Sequence, residues 1–171
     1  MNLNSLIALI VIAFLIILAG CSPTKVLNVL SHDFGSCTQK NVVFNTEHNL
    51  SADFYYTAKS THCAGNSQEG AKTSNNTVTP TVVFIYGGSW RTGEKSQYSF
   101  AANFFTKHGF NVVIPNYRLY PEVGYPEFVN DIDAFFTWFA SNATTHGVNT
   151  DTVHMVAHSA GAFNAAMYLF D

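Results

Sequence analysis

Ser159 stands at the tip of Ala157-His158-Ser159-Ala160-Gly161, directly behind the apolar run Val153-His154-Met155-Val156. A serine hydroxyl is a weak nucleophile until a base takes its proton as it attacks. A sharp strand-to-helix turn exposes such a hydroxyl, provided its flanks are small, and Ala157, Ala160 and Gly161 meet that demand. Alanine replaces the first glycine of the usual G-x-S-x-G, which a tight turn tolerates. The plainer alternative is that Ser159 only caps the helix behind it. A second group, Tyr86-Gly87-Gly88-Ser89-Trp90, also follows an apolar run. Its small residues let backbone N–H groups approach a developing oxyanion, although a simple glycine turn would look the same. A third, Asn116-Tyr117-Arg118-Leu119-Tyr120-Pro121-Glu122, contains a guanidinium. Pairing with a carboxylate, Asp131 or Asp133, is its expected role, ahead of substrate contact.

These residues need a scaffold. Val42-Val43-Phe44 and Ala52-Asp53-Phe54-Tyr55-Tyr56 read as short strands joined in a hairpin through the polar segment 45–49. Residues 59–79 are rich in Ser, Thr, Asn and Gly and read as a surface loop. From Pro80 the pattern alternates. Thr81–Tyr86, Phe110–Ile114 and Val153–Val156 are β-branched or apolar runs suited to strands buried on both faces. Between the first two, a helix is expected with Ser96 as N-cap, an apolar face of Phe100, Ala101, Phe104 and Phe105, and Gly109 as its stop. The next opens near Pro126 and runs to about Asn142, with Phe128, Ile132, Phe135, Phe136 and Phe139 at helical spacing. A third helix starts near Ala160. Alternation of this kind implies an α/β fold with parallel βαβ units, and the pattern holds about five or six strands.

The order and spacing of Gly-Gly-Ser-Trp, Tyr-Arg-Leu-x-Pro-Glu, the Pro-Glu-Phe helix and His-Ser-Ala-Gly resemble the α/β-hydrolase superfamily over residues 42–171. Carboxylesterases of the hormone-sensitive-lipase-like and BD-FAE-like groups, with formamidase-like members, are the most similar. The resemblance implies a mostly parallel sheet with helices on both faces and an α/β-hydrolase domain from about residue 41. It implies acyl transfer from a small-molecule ester to Ser159, with no cofactor. Matching by position, Gly88, Ser89 and Ala160 would form the oxyanion hole. Tyr86 stands where that group has a loop-holding histidine.

In such enzymes the triad follows the order serine, acid, histidine. No histidine follows Ser159, and the only acid that does is Asp171. His158 is expected to point elsewhere on the turn, His108 to end a helix, and His32, His48, His62, His146 and His154 to lie on the surface or in loops. The expectation is therefore the front part of a serine esterase, truncated after the elbow helix and inert as it stands. The alternative is a non-catalytic envelope lipoprotein that keeps a partial hydrolase fold.

Composition narrows the partners. Eight Lys plus Arg are scattered through a chain of net charge −3, so no basic stripe for nucleic acid exists. Leu6–Leu18 is almost continuously apolar, too short to span a bilayer that needs about 20 such residues. It ends in Leu18-Ala19-Gly20-Cys21, which resembles a bacterial lipobox. That resemblance implies a signal peptide over 1–20, lipidation of Cys21, a tether over 21–40 and a membrane-anchored place in the cell envelope. An uncleaved anchor helix is the alternative, and it too would leave the remainder outside the cytoplasm. There Cys37 and Cys63 are plausible disulfide partners, closing a loop of about 26 residues worth roughly 3 kcal/mol; free thiols are the alternative. No C-x-x-C or H-E-x-x-H spacing suggests a metal.

Overall fold

The computed structural model describes residues 37–58, 60, 62 and 79–170. The leader, Cys21, Cys63 and most of the expected tether and loop lie outside them. Among the described residues no helix is long and apolar enough to cross a membrane.

Five strands form one mixed sheet: β1 (Cys37–Asn45), β2 (Leu50–Tyr56), β3 (Thr81–Ile85), β4 (Asn111–Pro115) and β5 (Val153–Ala157). Their order is β1-β2-β4-β3-β5, with β1, β2 and β4 antiparallel neighbours and β3 parallel to both β4 and β5. Every residue of β3 and β4 is buried, as their β-branched runs require of strands covered on both faces. Among the described residues three helices serve as connections and cover: α1 (Ser99–Lys107), α2 (Glu127–Asn142) and α3 (Ala160–Phe170). The helix α2 buries Phe128, Asp131, Ile132, Phe135 and Phe139, the stripe its spacing marks out. Phe135 gathers Phe44, Phe136 and Phe139 around it at centroid distances of 5.2–5.3 Å.

Three expectations shift. The strand β1 begins at Cys37, inside the segment expected to be a tether, because Cys37–Gln39 pair with Tyr56–Phe54. A register shift between Gln39 and Val42, with Asn41 at φ 57°, breaks the alternation that would have marked it. Cys37 itself is disulfide-bonded. The first helix starts at Ser99 after a 3₁₀ turn, Lys95–Tyr98, and not at Ser96. It seats on the sheet through small residues, Ala101 and Ala102 among them, while Phe104 stays 58% exposed. Phe104 packs instead on Phe105 and on His108, whose Nδ1 lies 2.7 Å from the Phe104 carbonyl at the helix end. His146 also leaves the category of bare surface residues. It is half-buried, tilted against Phe54 and Trp138, and burial lowers its pKa.

Candidate active site

Parallel register decides which loops meet. Ile85 of β3 faces Ala157 of β5, so the chains leaving both strands emerge side by side from one edge of the sheet. The His158 amide donates to Ile85 O at 3.0 Å, extending that pairing into the turn. Ser159 then takes φ 52°, the left-handed geometry of a strained turn, and α3 begins at the next residue. Its side chain is exposed. The flanks must be small for a reason visible here: a Cβ on Gly161 would stand 2.2 Å from Tyr86 O and 2.4 Å from Ile85 O. The elbow helix therefore starts in direct contact with the end of β3.

The glycine loop is the other wall. A Cβ on Gly87 would stand 2.6 Å from His158 O and 2.9 Å from Ser159 Cβ. That absent methyl lets the loop touch the turn bearing the hydroxyl. Gly88 has φ 144°, Ser89 55° and Trp90 58°, so the loop turns through conformations that L-residues rarely adopt.

Peptide planarity then orients the donors, because C=O and N–H of a trans peptide point in opposite directions. The Gly87 carbonyl accepts the buried Tyr98 hydroxyl at 3.1 Å, which turns the Gly88 N–H away from Tyr98. The Gly88 carbonyl accepts the Arg91 and Thr92 amides at 3.1 and 3.0 Å, which turns the Ser89 N–H away from that turn. The Ser159 carbonyl accepts Ala162 N at 2.9 Å within α3, leaving the Ala160 N–H aimed out of the helix N-terminus. None of these three amides has a hydrogen-bond partner among the described residues. A set of free amides beside an exposed serine is what a developing oxyanion requires.

Tyr86 does by packing what a histidine would do by other means. It is buried, stacked on Tyr117 at 4.8 Å and on Tyr98 at 5.7 Å, and the Tyr117 hydroxyl donates to Tyr86 O at 2.9 Å. Burial raises the pKa of all three phenols, so they hold the loop as neutral groups. The positions of Tyr98 and Tyr117 in this network were not foreseeable from spacing alone. Arg118 is likewise structural. Its guanidinium takes Asp131 at 2.7–3.1 Å through Nε and Nη2, and its amide donates to the same carboxylate at 2.9 Å. Asp133 is exposed on the other face of α2.

His158 lies next to the nucleophile candidate with its Nδ1 near Gly87, and no histidine or carboxylate among the described residues hydrogen-bonds the Ser159 hydroxyl. No group of three or more candidate metal-binding side chains occurs among them. A cleft of about 290 Å³ behind the loop is lined by Tyr86, Gly93, Asn116, Tyr117, Arg118 and others, on the side of the hairpin turn.

Solved proteins share this fold. Esterase B from Lactobacillus rhamnosis, solved with a tributyrin phosphonate inhibitor, has a similar fold, with a TM-score of 0.69 at 20% identity over 98% of this chain and 50% of its own. An α/β-hydrolase from a Medee basin deep-sea metagenome library gives 0.59 at 18% identity, over 77% of this chain and 50% of its own. The versiconal hemiacetal acetate esterase of Dothistroma septosporum is 30% identical over 83 residues, 48% of this chain and 25% of that protein. The chain thus spans about half the length of these solved structures and matches about a quarter of that curated relative. These neighbours share the α/β-hydrolase fold of this chain, and a family model matching residues 70–170 makes the assignment specific: the chain belongs to the BD-FAE family.

Proposed function

We propose that this protein is a serine carboxylic-ester hydrolase of the cell envelope, with Ser159 as nucleophile and the amides of Gly88, Ser89 and Ala160 as oxyanion hole. Ser159 Oγ attacks the ester carbonyl as a base removes its proton, and the electron pair of the carbonyl moves onto oxygen. The three amides stabilise that oxyanion, collapse expels the alcohol, and water hydrolyses the acyl-enzyme by the same steps. The observation carrying this reading is the exposed Ser159 at φ 52° against a glycine loop whose Gly88 and Ser89 amides have no partner among the described residues. Esterase relatives support a small-molecule ester as substrate.

Among the described residues no histidine or carboxylate bonds the Ser159 hydroxyl, so this reading looks for the acid and histidine outside these 171 residues and expects the chain by itself to be inert. Cys21 is the lipidated residue that holds the domain at the membrane, and Cys37 is bridged to Cys63. Sequencing the coding DNA past the Asp171 codon tests the first point. An in-frame continuation carrying an acid and then a histidine is expected. A stop codon there supports the other reading, a non-catalytic envelope lipoprotein, which the lack of a base bonded to Ser159 among the described residues favours. Mass spectrometry of a non-reduced digest is expected to yield a Cys37–Cys63 peptide, and an acylated Cys21 in the membrane fraction.

A further inference from the structure

Trp90 is held at φ 58°, immediately after Ser89 at φ 55°. A bulky residue there is a genuine outlier, and two in succession persist only where their surroundings over-determine them. Those surroundings are visible on every side of Trp90. Its carbonyl accepts the Tyr120 amide at 2.7 Å. Its ring stacks on Phe128 at 6.3 Å and meets the edge of Phe163 at 5.5 Å. Its indole N–H donates to Asn164 Oδ1 at 2.9 Å.

Asn164 is the unexpected member. It lies on α3 with no solvent exposure, and its Nδ2 has no partner among the described residues. A buried amide that is only half satisfied is costly, and a leucine of similar size would avoid the cost. The bond to Trp90 is the one hydrogen bond that the Asn164 side chain makes among the described residues. An indole nitrogen can only donate, so the carbonyl oxygen must be the atom facing it.

We propose that Asn164 is a positioning residue: through Trp90 Nε1 it clasps the loop of residues 86–93 to the elbow helix, fixing the Gly88 and Ser89 amides relative to Ser159. The purpose of the clasp rests on the esterase reading above, but its existence does not. Strain at Ser89 and Trp90 is thereby maintained by a bond to the very helix that follows Ser159, so loop and elbow move as one body.

Hydrogen exchange followed by NMR tests this in the 171-residue chain, with the Trp138 indole as internal reference. In N164L the Trp90 indole proton is expected to shift and to exchange about fivefold faster. The amides of Arg91, Thr92 and Tyr120 should quicken with it, while those of β3 and β4 keep their rates. W90F keeps an aromatic ring and loses the N–H, so it should loosen the same three amides, and the double variant should add nothing further. If N164L does not fold, the loop exchange of W90F decides. An unchanged Trp90 indole proton in N164L, exchange rising evenly through the sheet, or effects that sum independently would overturn the clasp. Loss of the esterase reading, by contrast, would leave these rates where they are.

Discussion

At the residue scale, close approach matters more than polarity. Gly161→Ala would push a methyl group into the carbonyls of Ile85 and Tyr86, which stand 2.4 and 2.2 Å from its position. Both are backbone atoms with little room to yield, so a loss of about 1–3 kcal/mol is expected, read as a lowered urea midpoint at unchanged slope. Gly124→Ala, where nothing lies within 4 Å, is the matched control and should be near neutral. The demand for a small residue at 161 was legible in the sequence, because it belongs to the elbow pattern. The partner of Arg118 was legible only in part. Asp131 shares the helical stripe of Phe128, Ile132 and Phe135, whereas Asp133 does not, so the periodicity already contained the answer left open by charge alone.

At the element scale, the β1–β2 hairpin is tied to the glycine loop by a buried ionic cluster. Asp53 is almost wholly buried and receives Lys40 Nζ at 3.1 Å, Lys95 Nζ at 3.2 Å and the Asn41 amide at 2.9 Å. Lys95 opens the 3₁₀ turn that ends in Tyr98, which in turn holds Gly87 O. Asp53→Asn leaves the buried Lys95 ammonium without its anion, and a cost of about 3–5 kcal/mol is expected in denaturant unfolding. A variant as stable as the parent would show that this cluster does not hold the loop. Nothing in the sequence linked Asp53 to Lys95, since the contact joins segments with no shared periodicity. The same limit hid the first residues of β1, where a bulge at Asn41 interrupts the alternation. Long buried runs such as β3 and β4, and the aromatic stripe of α2, were legible because one face or both must be apolar throughout.

At the scale of the whole molecule, tyrosines knit the sheet to the edge that holds the candidate site. Burial raises the pKa of Tyr55, Tyr86 and Tyr117, and pushes that of Tyr56 up to about 12. Folding thus favours the neutral phenol. The stability it adds is full below the ordinary value of 10.0 and is lost as pH climbs through the raised values. Tyrosinate absorbance of these four is expected to appear only together with loss of circular dichroism above that pH. Titration of all eight tyrosines near the ordinary value in folded protein would contradict it. The far side of β5 pairs with no strand among the described residues, and Phe163, Leu169 and Phe170 of α3 are exposed. The central claim, that Ser159 is the nucleophile, is tested most directly by fluorophosphonate labelling with the adduct located by mass spectrometry. The 171-residue chain should stay unlabelled, and a longer product that supplies an acid and a histidine should carry the adduct on Ser159 and lose it in Ser159→Ala. An adduct on another residue, or labelling that survives that substitution, would contradict the account.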